Sequence, residues 1–268
     1  MKRREEDQRL FKELIRSVAR NKELLERPDR LMVEMGRCFV GASYRAGTLE
    51  GTKAEHLVVN LREFDCVTFV ENVLALTLHI ASKDPSFEGF LRFLRKIRYR
   101  SGRIHGYSSR LHYFSDWIYD NQRKGILKDI TSEIAGKLFQ KSIHFMTTHP
   151  HLYPSLEDGV NLQKMKSVES AISQRSLFFL PKELLRRGED RISNGDLIGI
   201  TARGEGLDVL HVGVAVRTGK PIHLLHASSR EGKVVLSRKT LYRYLAESKA
   251  RSGIMVARPQ FRRWKVED

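Results

Sequence analysis

Cysteine is scarce in this sequence: the 268-residue chain contains two, Cys38 and Cys66. Two thiols cannot form the disulfide framework of a small secreted domain, and a chain of this length can bury a sufficient core without one. Repeated cysteines and histidines at metal-ligand spacing are also missing, since His149 and His151 form only an isolated pair. We therefore expect no metal site.

Long apolar runs are missing as well. No stretch approaches the roughly 18 apolar residues that a membrane-spanning helix requires. The basic start MKRREEDQRLFKEL is not followed by the apolar segment that a leader peptide has. We expect neither a transmembrane segment nor a leader in this sequence.

Acidic residues are outnumbered, with 32 Asp and Glu against 48 Lys and Arg, so the formal net charge is +16. The surplus is uneven: residues 91–110 hold seven basic residues and no acidic one, and residues 217–263 hold twelve against two. This distribution favours an anionic partner, such as nucleic acid, acidic lipid or a cell-wall fragment that bears carboxylates. A solvated basic face without any partner is the alternative.

The N-terminal part of the chain is predicted to contain helices on either side of a glycine-rich loop. Apolar residues at helical spacing predict two amphipathic helices within residues 7–36, and the second of them buries Cys38. The stretch GASYRAGTLEG is typical of a loop, and residues 57–61 of a short extended segment. Asp65 can cap the helix that follows, with Thr68 three residues later.

The later part of the chain changes from helices to strands. Residues 85–189 are predicted to be mainly helical with long loops. Strands are predicted at 196–200, 210–217, 222–228, 233–237 and 253–259. Helices followed by a mostly antiparallel sheet are typical of the α+β class. Because no linker-like stretch divides the chain, we expect one elaborated domain over residues 1–268.

Cys66 occupies a position that favours a reactive thiol. If Asp65 caps the helix, Cys66 lies in its first turn, where unpaired backbone N–H groups and the positive end of the helix dipole favour a thiolate. The alternative is that Cys66 is a small buried core residue. A histidine close to the thiol would favour the nucleophile over this alternative.

Two histidines of a predicted hairpin could provide that base. Residues that face each other in an antiparallel hairpin have positions of constant sum, and a turn centred on Thr218 and Gly219 gives the same sum, 437, as His211 and His226. The two histidines are therefore predicted to stand directly opposite each other on one face of the sheet. His211 would then act as the base, and His226 would orient its ring.

Five ordered pieces of the sequence, GASYRAG, FDCVTFVEN, NGDLIGI, HVGVAVR and LLHASS, resemble the NlpC-type papain-like cell-wall hydrolases. The resemblance implies a papain-like core, formed by about 37–84 and 190–258, in which an antiparallel sheet packs on a helix that begins with the catalytic cysteine. Residues 7–36 add N-terminal helices. The long spacing between Cys66 and His211 implies a helical insertion over about 85–189, as in the branch of N-acetylmuramoyl-L-alanine amidase-like proteins.

The resemblance also implies residue roles. Cys66 corresponds to the nucleophile and provides a backbone N–H for the oxyanion, His211 to the base, His226 to the third member of the triad, and Tyr44 to a residue of the active-site wall. The implied reaction is hydrolysis of the amide between N-acetylmuramic acid, in its anhydro form, and L-alanine in released muropeptides. Such a reaction requires no cofactor.

Arg110, His112 and Tyr113 are the candidates for substrate contact. An arginine can bind a peptide carboxylate through two hydrogen bonds, and a tyrosine can line a sugar. The alternative is a basic loop that leads into a helix whose aromatic residues pack in the core.

Two other functions remain open from the sequence. An endopeptidase that cuts the stem peptide after D-glutamate would use the same triad. A non-catalytic module could instead bind nucleic acid or wall polymer through residues 91–110, with Tyr99 and Tyr107 as stacking surfaces. For the amidase we expect muropeptide fragments as partners, no nucleic acid, a monomer, and a location in the bacterial envelope, the periplasm.

Overall fold

The computed structural model describes residues 2–50, 54–82 and 86–261. The α-helices of these residues are α1 (Lys2–Ala19), α2 (Lys22–Leu25), α3 (Pro28–Arg37), α4 (Cys66–Ala81), α5 (Phe87–Arg98), α6 (Phe114–Arg123), α7 (Phe145–Thr148), α8 (Gly159–Ser173), α9 (Leu185–Gly188) and α10 (Leu241–Ala246). The strands are β1 (Ser43–Tyr44), β2 (Glu63–Phe64), β3 (Leu127–Asp129), β4 (Lys137–Phe139), β5 (Leu177–Pro181), β6 (Leu197–Ala202), β7 (Val209–Arg217), β8 (Ile222–Ser228), β9 (Lys233–Thr240) and β10 (Arg251–Pro259). None of the described helices has the length and hydropathy that crossing a membrane would require.

The strands form one mixed sheet in the order β2-β1-β9-β8-β7-β6-β10-β5-β4, and β3 also pairs with β10. β1 and β2 run parallel. The other described pairings are antiparallel. The predicted α+β class with a mostly antiparallel sheet is therefore confirmed. The five predicted C-terminal strands coincide with β6 to β10 to within a few residues.

The segment 85–189 differs from the helical insertion that the sequence predicts. It contains α5, α6 and α8, but it also supplies β3, β4 and β5 to the sheet. β5 pairs with β10 through Ile254 and Leu180, and both side chains are fully buried. Pairing at the sheet edge therefore overrides local helix propensity here. The predicted boundary at 84–85 lies outside the described residues.

Two smaller expectations are also corrected. The short extended segment expected at 57–61 is neither helix nor strand, and the strand nearest to it lies at Glu63–Phe64, so the pairing begins later than expected. Cys38, predicted to be a core residue, is exposed. The reason is that α3 ends at Arg37, so that Cys38 lies beyond the helical stripe that buries Leu31 and Met35.

Helix α4 forms the centre of the core. It is apolar on most of its surface, every residue from Thr68 to His79 is buried, and it packs against α3, α5, β7 and β8. A helix that is apolar all round must be enclosed by other elements. The first turn of α4 is therefore held in a fixed position against strand β7.

A buried ion pair ties α4 to its neighbours. Arg98 Nε, on α5, donates a hydrogen bond of 2.6 Å to Glu71 Oε2, and Arg98 Nη1 donates one of 2.6 Å to the carbonyl of Val58. Trp117 Nε1, on α6, donates to Glu71 Oε1 at 3.2 Å. The side chains of Arg98 and Glu71 are each 2% exposed. This network fixes the relative positions of α4, α5 and α6.

Candidate functional site

The start of α4 is a capping box built by Asp65 and Thr68. Thr68 N donates a 2.7 Å hydrogen bond to Asp65 Oδ1, and Asp65 N donates one of 3.0 Å to Thr68 Oγ1. Asp65 has extended backbone angles, as an N-cap residue requires. The predicted cap is confirmed, and it makes Cys66 the first residue of the helix.

The thiol of Cys66 lies in a narrow pocket of about 100 Å³ that is lined by residues from α4, α6, β7 and the loops before α6 and β7. His112, Trp117, Asp208 and His211 are among its walls. Burial and, to a lesser degree, the Asp65 carboxylate raise the pKa of Cys66 to about 12, although backbone hydrogen bonds from Val212 and the helix start act in the opposite direction. The expectation of a resting thiolate is therefore corrected: desolvation outweighs the helix dipole, and Cys66 rests as a neutral thiol.

His211 and His226 meet side by side, with 2.6 Å between His211 Nε2 and His226 Nδ1 and 4.8 Å between the ring centroids. The predicted register is wrong by two residues, however. β7 pairs with β8 through Val214 and Leu225, whose positions sum to 439 rather than 437, and a longer loop closes the hairpin. A shift of two residues preserves the face of the sheet, so the histidines are diagonal neighbours instead of direct opposites.

Both imidazoles rest in the neutral form. Burial, the neighbouring His226 and the Arg251 guanidinium lower the pKa of His211 to about 3. Burial and Arg251 lower the pKa of His226 to about 4. A neutral imidazole has one N–H, so the short contact between the rings is a hydrogen bond in which one ring donates and the other accepts. The pair therefore retains one unprotonated nitrogen that can accept a further proton.

Tyr244 and Arg251 complete the surroundings of the histidine pair, and no motif in the sequence indicated either of them. The Tyr244 ring lies 6.3 Å from the His211 ring and 5.5 Å from the His226 ring. The Arg251 guanidinium stacks 4.1 Å above the Tyr244 ring and donates to the Tyr244 carbonyl. The two residues come from α10 and β10, which only the tertiary fold brings to the histidines.

Tyr44 lies on β1, half-buried, at the edge of the site. Burial raises the pKa of Tyr44, and the charge that Cys66 would carry as a thiolate raises it further. β1 pairs with β2 through Tyr44 and Phe64, and Phe64 is only two residues before Cys66. The structure therefore brings the predicted wall residue into the neighbourhood of Cys66.

His112 lines the Cys66 pocket, as a residue in contact with substrate should. Its Nε2 donates a 2.9 Å hydrogen bond to the Tyr107 carbonyl, which leaves Nδ1 as an acceptor. Burial and the charge of Arg110 lower the pKa of His112 to about 3. His112 is thus a second neutral imidazole beside the thiol.

Arg110 and Tyr113 are placed differently from the prediction. Arg110 is 4% exposed, and it donates to Glu50 Oε1 at 2.7 Å and to the Leu49 carbonyl at 2.9 Å. Tyr113 is 2% exposed, its hydroxyl donates to Glu169 Oε1 at 2.6 Å, and the same hydroxyl accepts from the backbone of Met146. These contacts correct both assignments of substrate contact, because the polar groups are already used inside the protein.

The basic stretch 91–110 does not present the aromatic stacking surfaces that the binding-module alternative requires. Tyr99 and Tyr107, which were to stack on a ligand, are 1% and 4% exposed. Arg98 pairs with Glu71, and Arg100 pairs with Asp116 at 2.7 Å. The burial of both rings contradicts the stacking role expected of Tyr99 and Tyr107, and the paired cations Arg98 and Arg100 are already used inside the protein.

A larger cleft of about 830 Å³ adjoins the cysteine pocket at His211. It shares Leu210 and His211 with that pocket and is also lined by His226 and Tyr244. His211 thus lines both the narrow pocket that holds the thiol and the wide cleft. Among the described residues, no group of three or more His, Cys, Asp or Glu side chains could hold a metal ion.

The protonation of the histidine pair predicts how stability depends on pH. In the unfolded chain a histidine takes up a proton near pH 6.5, whereas folded His226 resists protonation down to about pH 4. Between these values the unfolded state binds more protons, so stability is complete above pH 6.5 and falls as the pH is lowered. We expect His226 alone to lower the free energy of unfolding by about 2 kcal/mol from pH 7 to pH 5.

Urea unfolding at the two pH values measures this effect. The His226→Gln variant should lose about 2 kcal/mol less than the wild type over the same interval. His151 is exposed, so His151→Gln should behave like the wild type. An equal pH dependence in His226→Gln and the wild type would mean that His226 is not held neutral in the folded protein.

Comparison with known proteins places this arrangement in a family. A family model described as AmiA-like, N-acetylmuramoyl-L-alanine amidase-like, matches residues 34–254. An N-acetylmuramoyl-L-alanine amidase from Bacteroides uniformis ATCC 8492, known from a crystal structure, is 40% identical, with a TM-score of 0.83 over 87% of this chain and 99% of that one. No match was found among curated proteins.

Two further solved structures are similar. A Bacteroides fragilis protein provisionally named a xylanase is 44% identical, with a TM-score of 0.79 over 83% of this chain and 98% of that one. A Legionella pneumophila protein is 24% identical, with a TM-score of 0.70 over 96% of this chain and 95% of that one, and it supports the fold alone.

Proposed function

The chain belongs to the AmiA-like, N-acetylmuramoyl-L-alanine amidase-like family, and from that premise we propose that it is a cysteine amidase acting on muropeptides. The bond cleaved is the amide between the lactyl group of N-acetylmuramic acid, in its anhydro form, and L-alanine. The observation that carries this proposal is the placement of Cys66 at the start of α4, in one pocket with His211, whose Nε2 lies 2.6 Å from His226. Thiol, imidazole and orienting group together are the set that acyl transfer needs.

The proton transfers follow from the neutral resting state. When His211 Nε2–H donates to His226 Nδ1, His211 Nδ1 is free to accept the thiol proton. As Sγ of Cys66 bonds to the carbonyl carbon, the thiol proton moves to His211 and the carbonyl oxygen becomes an oxyanion. His226, as the hydrogen-bond acceptor, stabilises the imidazolium that this step creates.

The second half of the reaction returns the same proton. His211 gives it to the leaving amine of L-alanine as the C–N bond breaks, which leaves the sugar acid bound to Cys66 as a thioester. Water then attacks the thioester, His211 accepts its proton, and the released thiolate takes that proton back. Burial and Arg251, which lower the pKa of His211, favour this rapid donation.

Backbone donors at the start of α4 stabilise the oxyanion. The first N–H groups of a helix have no partner within the helix. The Asp65 side chain accepts from Thr68 N and leaves the N–H groups of Cys66 and Val67 to point towards the thiol. An oxyanion formed on the carbonyl that Cys66 attacks lies within reach of these donors.

Thiol chemistry favours an amide over a glycosidic bond. Hydrolysis of a glycoside normally uses two carboxyl groups, one on each side of the bond. Asp208, the carboxylate of the Cys66 pocket, instead accepts hydrogen bonds of 2.7 Å from Ser115 N and Val209 N. We therefore propose that the protein is an amidase rather than a xylanase. We further propose that it is a monomer and that it acts on released cell-wall fragments in the bacterial envelope.

Mass spectrometry of digested muropeptides tests the reaction. An amidase releases an intact stem peptide and a free sugar acid, and each amide hydrolysed adds 18 Da to the summed product mass because one water is consumed. A stem-peptide endopeptidase with the same triad would release a shortened peptide and leave L-alanine on the sugar. Anhydro and reducing-end substrates compared side by side report which form is preferred, and products that retain the sugar–alanine amide would overturn the proposal.

A further inference from the structure

The wide cleft beside His211 carries an excess of positive charge. Its charged lining consists of Arg230, Lys233, Arg238, Lys239 and Arg251 against Glu231 and Glu247. Glu247 already forms an ion pair with Lys239, and Arg251 stacks on Tyr244. The cleft is therefore cationic even after its internal pairs are counted.

Arg230 and Arg238 are the cations best placed to receive a ligand. Both are exposed on the cleft, and in the described part of the chain neither has an ion-pair partner. Several other arginines of the chain are already paired, since Arg100 and Arg175 bind Asp116, and Arg258 binds Asp196. The guanidinium fork binds carboxylates through two parallel hydrogen bonds, so two unpaired arginines in one cleft favour a ligand with carboxylate groups.

The proposed reaction fixes which half of the substrate meets this cleft. His211 gives the leaving nitrogen the proton that it took from the thiol, so the leaving peptide must start beside His211, close to Cys66. The thiol pocket of about 100 Å³ is too small for a peptide of several residues, so the peptide must continue into the wide cleft, which His211 also lines. Its volume of about 830 Å³ is sufficient for a peptide of several residues.

We propose that this cleft is the subsite for the leaving peptide and that Arg230 and Arg238 select peptides with free carboxylates. The inference rests on the proposed function, because it takes the peptide as the leaving group. It adds a substrate class: stem peptides whose carboxyl groups are free rather than amidated. Sequence spacing alone does not reveal it, because β9 must fold beside β8 to bring Arg238 into the cleft with the histidines.

A matched pair of substrates tests the inference. N-acetylmuramoyl-L-alanyl-D-glutamate and its α-amide differ by one carboxylate and share the scissile bond. We expect the wild type to cleave the acid with a kcat/KM about tenfold higher than that of the amide, mainly through KM. The Arg230→Gln/Arg238→Gln variant should bring this ratio close to one, because the rate on the acid falls towards the rate on the amide.

Arg187→Gln is the matched control, since Arg187 is exposed and lies outside the cleft lining. It removes a positive charge from the surface but should retain the tenfold preference. Equal wild-type rates on acid and amide, or a preference that survives in the double variant, would overturn the inference while sugar release still supports the amidase.

A binding measurement keeps the inference testable if neither substrate is cleaved. Titration calorimetry of the Cys66→Ala protein with L-alanyl-D-glutamate and with its α-amide should show tighter binding of the acid. The triple variant Cys66→Ala/Arg230→Gln/Arg238→Gln should bind the two peptides equally. Equal binding of both peptides would overturn the cleft assignment, whereas absent turnover with preserved carboxylate preference would overturn only the proposed reaction.

Discussion

Cys66→Ala is expected to lower kcat on a muropeptide by a factor on the order of 10⁴ or more. The substitution removes the sulfur that forms the thioester and leaves only binding and the oxyanion donors at the start of α4. The capping box of Asp65 and Thr68 does not involve the thiol, so the helix start should remain in place. Release of free stem peptide, followed by chromatography and mass spectrometry, measures the loss.

Stability and the second cysteine supply the controls. Removing one sulfur from a half-buried position should cost about 1 kcal/mol or less in the free energy of unfolding, so the variant stays folded. Cys38→Ala changes an exposed residue at the end of α3 and should retain full activity. If the folded Cys66→Ala protein still released peptide at the wild-type rate, the cysteine mechanism would be wrong.

The same assay distinguishes between the two histidines that could act as the base. Both His211 and His112 line the cysteine pocket, and both are held neutral. Only His211 has a second imidazole, His226, to stabilise the charge that it acquires. We expect His211→Gln to be as inactive as Cys66→Ala and His112→Gln to lose mainly affinity. The reverse order would assign the base to His112.

The parts of the site predicted correctly are those with a local signal. Asp65 with Thr68 three residues later is a local capping pattern, and it predicts that Cys66 is the first residue of a helix. His211 and His226 were placed on one face because strand periodicity of two is insensitive to a register error of two residues. The strands of the C-terminal half follow from the same alternation.

The parts predicted wrongly depend on distant residues. No local pattern in the sequence indicates that Glu50 neutralises Arg110. No local pattern indicates that α10 brings Tyr244 to the histidines either. The neutral state of Cys66 is of the same kind: a helix start favours the thiolate, but the burial that overrides it comes from α6 and β7. Local rules give elements and caps, whereas desolvation and pairing belong to the assembled core.

Arg98→Met is expected to lower the free energy of unfolding by about 3–5 kcal/mol. Arg98 and Glu71 are each 2% exposed, so removal of the guanidinium leaves a carboxylate in the core with Trp117 as its one remaining hydrogen-bond partner among the described residues. Burial raises the pKa of Glu71 even with Arg98 present, which indicates how costly the lone charge would be. Urea unfolding at pH 7 measures the effect.

The double variant Glu71→Leu/Arg98→Met separates the cost of an unpaired charge from the value of the pair. Replacing both charges with apolar side chains of similar size removes the uncompensated carboxylate, so most of the lost stability should return. Because α4 carries Cys66, the single variant should also lose activity as the helix shifts, and the double variant should recover it. If the double variant were as unstable as Arg98→Met, the polar network itself, with its bonds to Val58 and Trp117, would be what holds α4 against α5 and α6.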